Sequence, residues 1–348
     1  MRHTKSAPMF VAEISANHLG DFERALELVR HAAAAGADAI KFQTYTADTM
    51  TLDSDTPGFK ISEDHLLWGG RKLYDLYDEA HTPWEWHSDL FELCRELGVI
   101  PFSSPFDKTA VDFLEQLGVQ MYKVSSMETS DLPLIKYVAE KGKPTLISTG
   151  ATNLDEIDDL VTCFLGTGNT QLTLLVCTSS YPARSTDANL KRMDFLRDRY
   201  SVGVGLSDHT LGIGTSLAGI ALGATVIEKH FILDRNDGGP DAAFSMEPFE
   251  FSQLVTEGKK SFESIGNSNW ALAESEKESR RIRRSLYVCE DVKAGDKINS
   301  SNVRAIRPGF GISPKHLESL ADKIFAIDVP KGTPLAFSLV KDPREVNG

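Results

Sequence analysis

Two histidines, His209 and His230, stand at the far ends of short apolar runs, VGVGLSDH and ATVIEKH. If these runs are neighbouring parallel strands, both imidazoles emerge at one rim and together can hold a divalent metal such as Mn2+, Fe2+, Co2+ or Zn2+. Other apolar runs end in ionisable or hydroxyl residues: Glu13, Lys41 with Gln43, Ser104, Lys123 with Ser126 and Glu128, Tyr181, and Ser207. Lys41 and Lys123, embedded in strand patterns, suit a phosphate or carboxylate as point charges. Ser104, Ser126 and Ser207 can donate hydroxyls to the same anion. Glu13 and Glu128 remain for a substrate hydroxyl or for activating water. Glu128 has a second reading, as a carboxylate favoured by the dipole at a helix N-terminus. The set fits a small phosphorylated anion beside a carbonyl compound polarised by metal. Carbon–carbon bond formation, isomerisation and hydrolysis all remain open on these residues alone.

The elements that must position these groups follow from periodicity. Eight apolar runs recur at 9–15, 39–43, 99–104, 120–126, 144–149, 172–180, 202–208 and 225–231. Amphipathic stretches such as DFERALELVRHAAAA, DKTAVDFLEQL and LDEIDDLVTCFL separate them. Glycines at 36, 98, 118, 142 and 223 follow the helical patterns, where a left-handed C-terminal position wants them. Eight strand–helix units predict an α/β fold, a (β/α)8 TIM barrel with its site at the carboxyl ends of the strands. A doubly wound open sheet would need a Gly-rich turn after the first strand, and ANHLGD does not supply one. A long connection from Thr44 to about Pro83, containing LLWGGRKLYDLYDEAHTPWEW, reads as a lid or interface segment. The barrel is expected over 1–265 and a charged linker, including ALAESEKESRR, over 266–282. A small β-rich domain with Lys-Gly and Ala-Gly turns is expected over 283–348, ending in a flexible tail. The Arg280–Arg284 cluster reads as a solvated linker rather than a localisation signal.

Composition narrows the function classes. The chain has 348 residues and a formal net charge of −13, which argues against nucleic-acid and anionic-membrane surfaces. Four scattered cysteines without C-x-x-C spacing read as thiols in a reducing compartment. With no apolar h-region in MRHTKSAPMF and no run of membrane-spanning length, a cytoplasmic protein is expected.

The segments AEISANH, KFQTYTADTMTL, FSSPFD, YKVSS, ISTGA, CTSSYPA, GLSDHTLGIG, GATVIEKHF and FSMEP together resemble the sialic acid synthase family. The stretch from SLYV to AIRPGFGI resembles that family's SAF, or antifreeze-like, domain, a β-clip-like module. Nothing in it suggests ice binding, since it has no regular Thr array. QTYTADTMTL, LLWGGRKLYDLYDEAHTPWEWH and DGGPDAAFSMEP are similar to the pseudaminate branch rather than the N-acetylneuraminate branch. The resemblance implies condensation of phosphoenolpyruvate with an open-chain amino-sugar aldehyde, with phosphate released. It implies a metal on His209 and His230, Mn2+ foremost with Mg2+ or Co2+ as alternatives. It assigns Lys41, Lys123, Ser104, Ser126 and Ser207 to phosphoenolpyruvate, Glu13, Tyr181 and Asp241 to the sugar, and Gln43 to substrate binding. Glu128 becomes the candidate for the water or a hydroxyl proton. Arg307, in AIRPG, matches an arginine that one subunit's small domain presents to its partner's barrel, which implies a domain-swapped homodimer. Ser179 is a departure, since the N-acetylneuraminate branch has Asn there; the shorter Ser is a weaker ligand for phosphoenolpyruvate.

Three alternatives are weighed. N-acetylneuraminate or legionaminate synthesis needs only a different amino-sugar aldehyde. Ala242, Ala243 and Phe244 beside Asp241 favour a less polar sugar than N-acetylmannosamine. A non-catalytic metabolite-binding barrel would have lost the reactive strand ends, yet Lys41, Lys123, Glu128, His209 and His230 are all present. A two-histidine hydrolase would want a further ligand, and Asp208 alternates to the face opposite His209.

Overall fold

The computed structural model describes residues 7–64 and 68–346. The first six residues, residues 65–67 of the long connection and the last two residues of the expected tail lie outside the described residues. The chain divides into two compact units, residues 1–266 and 267–348.

In the first unit, eight parallel strands close into a barrel in sequence order, as the alternating pattern predicts. They are β1 (Met9–Glu13), β2 (Ala39–Thr44), β3 (Ile100–Pro105), β4 (Tyr122–Val124), β5 (Thr145–Ser148), β6 (Leu172–Cys177), β7 (Gly203–Ser207) and β8 (Val226–His230). Six are shorter than their apolar runs, and in two of them the shortening moves candidate site residues out of the strand. β4 ends at Val124, where Ser126–Glu128 turn into a 3-10 helix. β6 ends at Cys177, so Ser179 and Tyr181 belong to the following loop.

The helices bury their apolar stripes on the outside of the barrel. Phe22–Ala34 is capped by Asp21, whose carboxylate accepts from Arg24 N at 3.2 Å, and buries Ala25, Leu28, Val29 and Ala32. Gly36 follows it at φ 94°, the left-handed position that ends the helix without a Cβ penalty. Between strands and helices lies one continuous apolar core that includes Phe10, Phe42, Phe91, Phe102, Phe164 and Phe251.

The long connection after β2 is not irregular throughout. It carries helices Ala47–Met50 and Leu73–Ala80 and a 3-10 turn Pro57–Phe59. Backbone bonds from Ile61 N to Arg71 O (2.9 Å) and from Gly70 N to Ile61 O (3.1 Å) tie its middle together.

The second unit contains two small antiparallel sheets. One pairs β9 (Ser285–Val288) with β10 (Val303–Ile306), the other β11 (Ile324–Phe325) with β12 (Val340–Lys341). Its own core is built on Leu286, Val288, Val303, Phe325 and Leu335. Residues Ala273–Arg284 are exposed and include a short helix, Lys277–Arg281, where the sequence suggested a plain solvated linker. All four cysteines are free. Among the described residues, no helix is long and apolar enough to cross a membrane.

Candidate active site

Strand register sets the level of each functional group. Glu13 pairs with Lys41 on one side and with His230 on the other. Gln43 pairs with Ser104, and Ser207 with Glu228. Because side chains alternate along a strand, Glu228 shares the inward face of β8 with His230, while Lys229 between them points outward. Lys229 lies 3.4 Å from Asp208 on the outer side, and Asp208 also accepts from Ser216 Oγ at 2.6 Å. Asp208 thus faces away from His209, as alternation requires.

The inward groups form a buried four-charge cluster. Lys41 Nζ pairs with Glu13 and stands 3.9 Å from Glu228 Oε2. Lys123 Nζ lies 3.1 Å from Glu228 Oε1, which also accepts from Ser207 Oγ at 2.9 Å. Burial alone would lower both lysines. For Lys41 the carboxylates of Glu13 and Glu228 outweigh it and hold the ammonium above the usual range. For Lys123 burial wins, aided by the charge on Lys41, and the value is lowered despite Glu228. Burial would raise the Glu228 carboxyl, but Lys123 and Lys41 outweigh it and bring it to about 2. The signs balance, two cations against two carboxylates, so the charged cluster can persist away from water.

Above this floor opens a cavity of about 460 Å3. Lys41, Gln43, Lys123, Ser126, Glu128, Tyr181, Ser207, His209, His230 and Asp241 line it, which brings ten sequence-selected residues into one space. Among the described residues, Glu13, Ser104 and Ser179 do not line it. Glu13 is fully enclosed against Lys41, and the Ser104 hydroxyl is buried without a hydrogen-bond partner. Ser179 lies near Gly150, where a Cβ would come within 2.2 Å of its Oγ. Arg307 belongs to the second unit, exposed just beyond β10.

The His209 and His230 rings stand 5.3 Å apart between centroids. Behind them Phe244 packs on His230 at 4.9 Å and on Tyr181 at 4.9 Å. His209 Nδ1 lies 3.1 Å from the Thr178 carbonyl, which can only accept. Nδ1 therefore carries a proton, which leaves Nε2 as the nitrogen that would face a metal. Asp241 Oδ2 stands 3.3 Å from His230 Nδ1, yet that nitrogen makes no well-directed hydrogen bond. Two imidazoles side by side suit a divalent ion. Among the described residues no group of three or more His, Cys, Asp or Glu is arranged to hold one, so an ion held by these two rings would need water or substrate to complete its shell.

Glu128 sits in the turn after β4 and accepts from Ser125 Oγ. The cap of the following helix is Asp131, which accepts from Leu134 N at 3.0 Å. The helix-terminus reading of Glu128 is thereby assigned to another residue. Burial pushes the Glu128 carboxyl above its ordinary value, although Ser125 opposes the shift.

Sequence reading missed Glu228, Ser148 and Cys177. Glu228 is two residues before His230, and the period of two would have found it. Ser148 ends β5, and its buried hydroxyl makes no hydrogen bond within the protein. Cys177 places its sulfur 3.8 Å from His209 Nδ1.

Comparison with known proteins agrees with this geometry. Residues 28–269 match the NeuB family, and residues 283–341 match the SAF domain. The chain is 40% identical to the pseudaminic acid synthase of Campylobacter jejuni, over 96% of either chain. It is 35% identical to the N,N'-diacetyllegionaminic acid synthase of the same species, over 91% of this chain and 95% of that one. A crystal structure of the N-acetylneuraminic acid synthetase of Leptospira borgpetersenii, in complex with citrate, superposes with a TM-score of 0.70 at 30% identity. It covers 79% of this chain and 90% of that chain. With its barrel matched over most of its length and a SAF domain after it, the chain belongs to the NeuB family.

Proposed function

We propose that this chain is a phosphoenolpyruvate-dependent, carbon–carbon bond-forming transferase. It condenses phosphoenolpyruvate with 2,4-diacetamido-2,4,6-trideoxy-L-altrose to a nine-carbon 2-keto acid sugar and releases phosphate. The observation that carries the reading is the cavity itself, where Lys41 and Lys123 reach the histidine pair across one space. The choice of sugar is supported by 40% identity to a pseudaminic acid synthase against 35% to a legionaminic acid synthase. We take the barrel as 1–265, the linker as 266–282 and the SAF domain as 283–348, in a cytoplasmic homodimer.

In this reading Lys41 and Lys123 hold the phosphoenolpyruvate anion, with Gln43, Ser126 and Ser207 donating hydrogen bonds. Ser104 and Ser179, which do not line the cavity, are left without a direct contact to the anion. A divalent ion on His209 and His230, Mn2+ first, with Mg2+ or Co2+ as alternatives, supplies Lewis acidity toward the aldehyde oxygen when bound. Tyr181 and Asp241 orient the sugar, and Glu13 acts through Lys41. Carbon 3 of phosphoenolpyruvate forms the new bond to the aldehyde carbon, and the aldehyde oxygen gains a proton. Water adds at carbon 2, giving up a proton to Glu128 or through it to the sugar hydroxyl. The carbon–oxygen bond to phosphate then breaks, the phosphate leaves with the bonding pair and takes up the C-2 hydroxyl proton, and the keto group remains. Glu128 is suited to this shuttle because burial raises its proton affinity.

The test is phosphate release from phosphoenolpyruvate with 2,4-diacetamido-2,4,6-trideoxy-L-altrose, its legionaminate counterpart and N-acetylmannosamine. Each is run with chelator and with added Mn2+. We expect release with the first sugar, loss on chelation and recovery with Mn2+. Turnover of N-acetylmannosamine alone would overturn the branch assignment, and turnover unaffected by chelator would overturn the metal.

A further inference from the structure

The apolar character expected beside Asp241 is not where the sequence placed it. Phe244 is 2% exposed and braces the histidines, Ala242 is buried, and Ala243 faces solvent. The apolar lining comes instead from the connection after β2. Met50, Ile61, Leu73 and Leu76 face the cavity, joined by Phe106 and Met127 from the loops after β3 and β4. Met50, Ile61 and Leu73 are only half-buried, Met127 is 61% exposed, and none of the six belongs to the barrel core. The connection is amphipathic. Its polar groups pair with one another on the exposed side: Lys72 with Asp53 (2.9 Å), Tyr74 with Asp48 (3.2 Å) and Arg71 with Glu79 (2.5 Å).

This wall is held in place. Ile61 is bonded through both its N–H and its carbonyl to residues 70–71. Trp68 Nε1 donates to Pro240 O at 3.3 Å, and its ring lies 6.2 Å from Tyr181, which ties the connection to the loop carrying Asp241. The wall stands above the rim because it follows β2, whereas the lysines project from within strands. Because the histidines and the wall line one cavity, a sugar with its aldehyde at the histidines can reach the wall with its far end.

We propose that this wall is a specificity subsite for the deoxygenated end of the sugar, taking the C-6 methyl group of a 6-deoxy substrate. The inference rests on the synthase reading above. A methyl group there completes the burial of half-exposed apolar side chains. A 6-hydroxyl packed against these six side chains would lose water that carbon cannot replace.

The experiment compares kcat/KM for 2,4-diacetamido-2,4,6-trideoxy-L-altrose and for the same sugar bearing a 6-hydroxyl. It uses the wild-type chain, Ile61→Thr and Leu73→Asn, two residues on separate supports whose half-exposure favours folding of at least one variant. Wild type should prefer the 6-deoxy sugar by roughly 10–100-fold, the range a hydrophobic pocket achieves against an added hydroxyl. Each folded variant should compress that preference by about 10-fold while KM for phosphoenolpyruvate stays unchanged. Equal use of both sugars by wild type, or an unchanged ratio in a folded variant, would overturn the subsite and leave the synthase reading intact. Absence of phosphate release with either sugar would instead bring down that reading, and the subsite with it.

Discussion

Glu228 shows how one side chain decides the character of a site. It accepts from Ser207 and stands between Lys123 and Lys41, with Glu13 closing the charge count on the other side of Lys41. Removing one member of a buried pair strands its partner's charge, at a cost of about 3–5 kcal/mol. Glu228→Gln should lose stability on that scale, and Lys123→Met should lose part of it. The double variant should recover about 1–3 kcal/mol of the summed loss, because neither charge is then left alone. Urea unfolding of the four proteins closes the cycle. Additivity within about 0.5 kcal/mol would show that the two groups do not share their charge.

At the scale of elements, the barrel was legible because its strands are buried on both faces and read as short apolar runs between amphipathic helices. The site was legible wherever a polar residue interrupted such a run at its end, as at Lys41, Lys123 and His209. It was less legible one step inward. Glu228 was passed over for His230, although alternation puts both on the same face. The apolar wall was invisible for another reason: Met50, Ile61 and Leu73 lie in a connection that Trp68 ties to Pro240 and Tyr181, far along the chain. Close approaches between layers are also silent in sequence. Gly258, midway along the helix Pro248–Ile265, faces β1, and a Cβ there would meet Phe10 Cζ at 2.6 Å. Gly258→Ala improves helix propensity by about 1 kcal/mol but overpacks the layer by about 1–3 kcal/mol. The clash is with a fully buried ring, so the variant should unfold at lower urea than wild type. Thr256→Ala on the exposed side of the same helix should not. Equal or greater stability of Gly258→Ala would mean that Phe10 yields more easily than its burial implies.

For the whole molecule, charge is distributed against the proposed substrate and then corrected locally. The chain carries a net charge of −13, yet phosphoenolpyruvate is an anion. Attraction therefore has to come from cations concentrated at the site rather than from the surface at large. Lys41 and Lys123 are already matched by Glu13 and Glu228 in the barrel, so a further unmatched cation would shift the local balance toward anion binding. Arg307 of the small domain is the candidate, exposed beyond β10. The sequence resemblance implies that it serves the barrel of a partner subunit, and mixing two inactive variants separates this from action within one chain. His209→Ala disables a barrel but keeps its Arg307, while Arg307→Ala keeps its barrel. In a mixed dimer with exchanged domains, the intact barrel receives the intact arginine. Random mixing should therefore restore about a quarter of wild-type activity, one working site in half of the dimers. If each arginine serves its own barrel, every site in the mixture lacks one group, and no activity returns.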